Sequence, residues 1–259
     1  MTLLSATNLH FAYDATPAVD GVSVGLRAGE VVGVIGPNGS GKSTLIKLLL
    51  GHLQPQSGSI QWMERDLRRW PRRALAREVA YLPQSPAADP MQRVVDVLRL
   101  GRAPYLGLFG LESDRDLMIV REVAESLELT DLLDRPMDEL SGGQRQRVFI
   151  GRCLAQQPKA MLLDEPNTFL DLRHQVDLCR RLVQLARQRS MGIIMSVHDL
   201  NLAAMYADRL LLLDGGRLVA DGPPSVVLEP QRLSEVYGIH LESVADRPRP
   251  LIVPADPAL

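Results

Sequence analysis

The chain has few cysteines, few aromatic side chains, no dominant sign of charge and no long apolar run, and each shortage removes a class of protein. Cys153 and Cys179 are the only cysteines among 259 residues, so neither a disulfide framework nor a cysteine-built metal site is available. Both fall in stretches with helical spacing and read as small buried apolar residues, as suits a reducing cytoplasm. Lysine and arginine number 29 against 31 acidic residues, and the net charge of -2 gives no field to gather nucleic acid or an anionic membrane. No run of about eighteen apolar residues occurs, and the opening MTLLSATNLHF lacks a basic segment followed by an apolar run, so a membrane-spanning or exported chain is not expected. The hydrophobic content of 46% is enough for one main body carrying a smaller lobe.

The clearest feature present is GPNGSGKST, comprising Gly36, Pro37, Asn38, Gly39, Ser40, Gly41, Lys42, Ser43 and Thr44, set between an apolar strand at 31–35 and an apolar helix beginning near Lys42. The spacing G-x-x-x-x-G-K-S is that of a phosphate-binding loop, in which glycines let backbone N–H groups curl around an anion. The helix behind it adds the positive end of its dipole. Lys42 is expected to reach the β and γ phosphates of a nucleotide, and the Ser43 hydroxyl to ligate the Mg2+ that bridges them. A glycine-rich turn that binds nothing would not need this strand, this helix and the full pattern together.

Strand-like stretches at 3–13 and 22–26 flank a turn-rich 14–17 and suggest a short antiparallel layer ahead of the loop. After the loop, a helix to about Leu50 stops at Gly51, and an extended stretch resumes at 58–63. Six arginines between Arg65 and Arg77, flanked by Glu64, Asp66 and Glu78, read as a solvated helix face. A strand at 79–82 delivers Gln84 into the proline-containing loop 83–90, where the pattern turns helical until Leu140 and a lobe boundary is expected. Within that stretch, GRAPYLGLFG at 101–110 is a loop rich in glycine and large apolar residues, which marks a partner surface where such side chains are exposed.

LSGGQRQR at 140–147 opens a further helix, with Ser141 placed as its N-cap and Gly142 and Gly143 baring the first N–H groups. The chain therefore has two anion-binding helix starts, and one ATP does not need both unless the second serves a nucleotide bound by a neighbouring copy. An apolar strand at 160–164 ends in Asp164, followed at once by Glu165. There, Asp164 can hold Mg2+ through water while Glu165 orients and deprotonates the attacking water. Another apolar strand, 192–197, ends in His198, which repeats the placement of a polar residue at a buried strand end and is assigned to the γ phosphate. Asp199 can cap the helix that follows.

Together the loop at 36–44, Gln84, LSGGQRQR, MLLDEP at 161–166 and SVHD at 196–199 resemble the nucleotide-binding subunits of ABC transporters, in order and spacing over nearly the whole chain. The resemblance implies an α/β fold, a P-loop ABC-type ATPase core with a parallel sheet, an N-terminal antiparallel β layer and a helical subdomain, with 1–84 and 159–259 as core and 85–158 as the helical part. It implies that Tyr13 stacks on adenine, that Gln84 senses Mg2+ and a transmembrane partner, that 169–171 crosses a dimer interface, and that His198 is the switch histidine. Asn167 and Gly151 depart from the usual threonine and alanine. A narrower resemblance, carried by Gly101, Arg102 and Pro104, by His174 and Gln175, by HDLNLA at 198–203 and by the tail around 236–238, is to importers of iron chelates, haem and vitamin B12.

The expectation is an ATPase subunit using ATP and Mg2+. Each ATP would lie between Lys42, Ser43, Gln84, Asp164, Glu165 and His198 of one copy and Ser141, Gly142, Gly143 and Gln144 of a second. The subunit would sit on the cytoplasmic face of the inner membrane through permease subunits, served indirectly by a substrate-binding protein, with no nucleic acid. Arg102 and Tyr105 are expected as exposed anchors for the permease. After a hairpin at 210–221, a short proline-rich end is expected. A soluble ABC ATPase of assembly, translation or DNA repair is the alternative. A scaffold without turnover would require degraded carboxylates or a degraded LSGGQ, and both are intact.

Overall fold

The computed structural model describes residues 1–107, 110–168, 170–244 and 249–255. Two sheets form the body. The first is antiparallel, in the order β2-β1-β4-β5, from β1 (Thr2–Tyr13), β2 (Thr16–Arg27), β4 (Ser57–Trp62) and β5 (Arg65–Asp66). The second runs β10-β9-β3-β8-β7-β6, from β3 (Val31–Ile35), β6 (Val79–Leu82), β7 (Ala160–Leu163), β8 (Gly192–Ser196), β9 (Arg209–Asp214) and β10 (Arg217–Gly222). Its neighbours are parallel except for β10, which closes one edge as a hairpin with β9.

Strand periodicity decides which core each side chain enters. Val32, Val34, Leu162, Ile194 and Leu211 face the antiparallel layer and α1 (Lys42–Leu49), with Leu4, Leu9, Trp62 and Leu45. Their alternates Val31, Ile35, Leu163, Ile193, Met195 and Leu212 face the helices on the other side. A central sheet buried on both faces is why these strands are continuous apolar runs. Each fully buried Leu, Ile or Val contributes roughly 1.5–3 kcal/mol.

The helical side contains α3 (Val94–Leu100), α4 (Asp114–Ser126), α5 (Gly142–Ala155) and α6 (Leu172–Arg189). Gly151 of α5 lies where α3 and α4 converge: a Cβ there would come within 2.6 Å of Leu98 and 3.1 Å of Leu127. Glycine, where alanine was expected, lets these helices approach closely. Cys153 and Cys179 are free and buried, as expected.

Four expectations are corrected. The strand expected from Val22 begins at Thr16, leaving only Asp14 and Ala15 as the turn; β2 is an edge strand, so Pro17 lies within it without costing a ladder bond. The arginine run is solvated as expected, all six arginines being exposed, but it is not one helix face: it divides into β5, a 3-10 turn and α2 (Arg72–Glu78), from which Arg73 and Arg77 both donate to the Pro104 carbonyl, at 2.8 and 2.9 Å. Arg102 is no exposed anchor, being 2% exposed. Its Nε donates to Asp116 at 2.8 Å and its Nη1 to the Ala155 carbonyl at 2.7 Å, while Tyr105 beneath it is half-buried and donates to the Gln156 carbonyl. Charge in the middle of an apolar lobe needs such partners, and they pull the arginine inward. Leu108 and Phe109 of the same loop lie outside the described residues.

The fourth correction concerns the end of the chain. Among its described residues, the end expected only as short and proline-rich is a folded segment, with α8 (Pro224–Val227), α9 (Pro230–Tyr237) and the hairpin of β11 (Leu241–Ser243) and β12 (Ile252–Pro254). Val227, Leu233, Leu241 and Ile252 bury it in the helical-side core. Prolines at the first turn of α8 and α9 start those helices rather than prevent them.

Candidate nucleotide site

Parallel pairing sets the site. Because β3, β8, β7 and β6 are adjacent and run the same way, their carboxyl ends share one edge. From those ends emerge the 36–44 loop, His198, the pair Asp164 and Glu165, and Gln84. Ligands in open α/β sheets gather at such edges.

The loop needs its glycines. Gly36 has φ 144° and a Cβ on it would lie 2.1 Å from the Leu213 carbonyl; Gly41, the N-cap of α1, has φ 101° and would meet the Ala18 carbonyl at 2.2 Å. Lys42 is buried, and its Nζ donates to the Gly36 carbonyl at 2.8 Å and the Pro37 carbonyl at 2.9 Å. Burial pushes the Lys42 ammonium below its ordinary range, with the charges of Glu165 and Asp164 working against that. The ammonium therefore sits across the mouth of the loop, where phosphate oxygens can take over from the carbonyls. Asn38 and Gly39 are exposed and Ser40 is buried.

The Ser43 hydroxyl donates to Asp164 Oδ1 at 3.0 Å, and Ser196 Oγ donates to the same oxygen at 2.8 Å while accepting from the Glu165 N–H at 2.7 Å. Hard oxygens of one hydroxyl and one buried carboxylate fit Mg2+, which keeps most of its shell as water and phosphate; a cage of three or more His, Cys, Asp or Glu ligands is absent among the described residues. Glu165 has φ 51°, an uncommon backbone for a non-glycine residue. Its Oε1 faces His198 Nε2 at 2.6 Å, and its Oε2 accepts from Gln84 Nε2 at 2.8 Å and from Thr168 Oγ1 at 3.2 Å. Burial raises the Glu165 pKa, but the hydrogen bonds and charge of His198, with Gln84 and Thr168, outweigh it and hold the carboxyl below the ordinary range.

The structure thus brings Lys42, Ser43, Gln84, Asp164, Glu165 and His198 together. Tyr13 stands at the end of β1, 48% exposed and edge-on to Phe11. Ser141, Gly142, Gly143 and Gln144 form the start of α5, closed by a reciprocal capping box between Ser141 and Gln144. They share no hydrogen bond with the 36–44 loop among the described residues. Gly142 does border a cleft of about 450 Å³ with Gln84, Glu165, Gln146 and Phe149. Phe169 of the 169–171 loop lies outside the described residues; Asp171 caps α6 through the His174 N–H.

Ser196 and Thr168 escaped sequence reasoning. Ser196 ends an apolar strand directly before Val197 and His198, and a polar residue closing such a run is the signal that could have singled it out. Thr168 carried no comparable signal.

Comparison with known proteins gives the family. The family model for ABC transporters matches residues 19–168. The chain is 40% identical to the hemin import ATP-binding protein HmuV of Thermobifida fusca, covering 97% of this chain and 88% of that protein. It is 38% identical to the achromobactin transport ATP-binding protein CbrD of Dickeya dadantii, covering 95% and 91%. Among solved structures, an ABC transporter in an inward-facing conformation is similar with a TM-score of 0.87 and 28% identity over 99% of this chain and 98% of that one. A nucleotide-free ATP-binding cassette follows at 0.82 and 26%, over 92% and 99%.

Proposed function

Since the chain belongs to the ATP-binding subunits of ABC transporters, we propose that it energises uptake of an iron-siderophore or related metal chelate, haem or a corrinoid, by hydrolysing ATP between two copies of itself. The observation that carries the reading is the unbroken hydrogen-bonded line from Ser43 through Asp164, Ser196 and Glu165 to Gln84 and His198 at the foot of the phosphate loop. Relatives named for hemin and achromobactin supply the cargo class, and they count against a soluble ATPase without a transporter.

In this reading Lys42 moves from the Gly36 and Pro37 carbonyls to the β and γ phosphates, which offer charge as well as acceptors. Ser43 and Asp164 hold Mg2+, which when bound neutralises charge on those phosphates. Glu165 orients the attacking water. A carboxylate held this low is a modest proton acceptor, and both its oxygens are engaged, so the water enters as His198 or Gln84 releases one of them. Both of those side chains are exposed. Tyr13 carries the adenine.

The start of α5, with Ser141 to Gln144, contacts the nucleotide of the second copy. Residues 1–84 and 159–259 act as the catalytic core and 85–158 as the helical part. Among the described residues no helix is long and apolar enough to cross a membrane. Attachment to the cytoplasmic face of the inner membrane runs through permease subunits, which an external substrate-binding protein supplies. With Arg102 buried, the permease contact shifts to Leu100 and Leu111, 49% and 77% exposed, on either side of the Arg99–Glu112 ion pair.

The test is Glu165→Gln. Hydrolysis falls about 10²- to 10⁴-fold, ATP binding persists, and ATP traps a two-chain species by light scattering that a further Ser141→Arg abolishes. Normal turnover by the first variant, or a dimer indifferent to the second, refutes the reading.

A further inference from the structure

Glu165 stands on a backbone that has to be held in place. Its φ of 51° lies in the left-handed region, and Pro166 directly after it disfavours anything but an extended conformation in the residue before a proline. Such a backbone persists only where its surroundings fix it, so the groups that grip the peptides on either side decide where the carboxylate points. On one side the grip comes from the parallel sheet: the Glu165 N–H donates at 2.7 Å to the hydroxyl of Ser196, at the strand end that leads toward α7 (Leu200–Tyr206). On the other side it comes from α5, where Gln146 Nε2 donates to the Pro166 carbonyl at 2.6 Å.

Pro166 is buried and has no N–H, so that carbonyl is the one backbone group through which it can be held by hydrogen bonding. The remaining bonds of the turn act elsewhere. Thr168 bonds the Glu165 carbonyl and carboxylate from within the turn and moves with it. Gln175 of α6 donates to the Asn167 and Leu170 carbonyls at 3.4 and 2.9 Å, and Asn167 Nδ2 reaches Cys179 Sγ at 3.3 Å, all beyond the proline.

Gln146 is aimed by its helix. Gly142, Gln146 and Phe149 follow one another along a single face of α5 and line the same cleft as Gln84, Glu165 and Thr168. Among the described residues no other side chain of 141–147 hydrogen-bonds the 164–168 turn; Arg147 turns away, to the Leu127 carbonyl and Glu128.

We propose that Gln146 is a positioning residue for Glu165: from the second turn of α5 it holds the Pro166 carbonyl and, with Ser196, fixes the strained step that aims the carboxylate. It acts through the backbone, not on the nucleotide, and it ties the aim of Glu165 to the place of α5. The inference rests on the reading of Glu165 as the residue that orients the attacking water.

The test is a double-mutant cycle in the full chain, with kcat, KM for MgATP and Tm measured for each protein. Gln146→Met keeps the length and helix preference of the side chain and removes its donor. It lowers kcat about three- to tenfold, the range one hydrogen bond controls, with KM within about twofold and Tm within about 4 °C. The same substitution in the Glu165→Gln protein, followed through long single-turnover incubations, changes the residual rate less than about twofold, because no carboxylate is left to aim. A general loosening of the fold lowers the rate equally in both backgrounds. An unchanged kcat in Gln146→Met, a KM that rises as kcat falls, or an equal loss in both backgrounds overturns the proposal. If Gln146→Met does not fold, Gln146→Ala, which also lacks the donor, is judged by the same criteria. Glu165→Gln by itself separates the two ways of failing. If it keeps full kcat, the reading of Glu165 fails and this inference falls with it; if it loses kcat while the Gln146 variant turns over normally, the role of Gln146 alone fails.

Discussion

Arg102→Ala is expected to destabilise the fold rather than weaken a surface contact. The arginine bonds Asp116 and the Ala155 carbonyl and stacks 3.8 Å over the Tyr105 ring. Breaking a buried ion pair from one side costs about 3–5 kcal/mol, because the remaining charge is left without its partner. Asp116 keeps Ser113, whose Oγ and N–H both donate to its Oδ2 at 2.6 and 3.0 Å, so the lower end of that range, about 3 kcal/mol, is expected. At about 2–4 °C per kcal/mol for a chain of this size, Tm falls by about 6–12 °C. The acid limb adds a second reading. Hydrogen bonding from Ser113, offset by burial and joined by Arg102, holds the Asp116 carboxyl at about 2. A folded value below the unfolded one means this stabilisation is complete above about pH 4 and is lost as pH falls toward about 2. Removing Arg102 raises the folded value and shrinks that loss. Thermal and urea unfolding from pH 7 to pH 3 measure both effects. A loss under about 1 kcal/mol together with lost permease binding would refute the burial argument and restore an exposed anchor.

Local patterns carried most of the site into the sequence. The 36–44 loop was legible because anion binding by backbone needs glycine where a Cβ would strike the Leu213 and Ala18 carbonyls. Asp164 and His198 were legible because polar residues that end buried apolar strands have little other reason to be there. Their convergence was not local information: it follows from the order β3-β8-β7-β6, which no single segment encodes.

The misreadings have the same physical origin. Arg102 sits in a stretch of glycine, proline and large apolar residues that reads as exposed loop, and only Asp116, fourteen positions away on α4, turns it inward. The end of the chain was read only as short and proline-rich, which gave no sign of its helices, whereas at a helix start proline gives up an N–H that has no partner anyway. Long-range partners, not composition, decided both cases.

Three further outcomes test the nucleotide site and its coupling. Lys42→Ala leaves the circular dichroism spectrum intact but abolishes measurable ATP binding and turnover; a folded variant that binds ATP normally refutes the loop assignment. Leu100→Ser with Leu111→Ser preserves the ATPase of the isolated subunit and lowers both co-purification with the permease and uptake into vesicles, and unchanged uptake excludes that surface. The last concerns acid. Because His198 and Gln84 keep the Glu165 carboxyl below its ordinary range, its charge persists as pH falls, and Glu165 protonation limits kcat only at lower pH than it would for an ordinary glutamate. Gln84→Ala removes one of the bonds that hold it down, so the folded pKa rises and the acid side of the kcat profile moves to higher pH. Stability follows the same sign: the share owed to the depressed Glu165 is present above the unfolded carboxylate range and disappears as pH drops through the folded value, so the variant loses that share at neutral pH. Stopped-time ATPase assays between pH 4 and pH 8 on both proteins decide it, and an acid limb that stays in place when Gln84 is removed means that the bond between Gln84 and Glu165 does not tune the carboxylate.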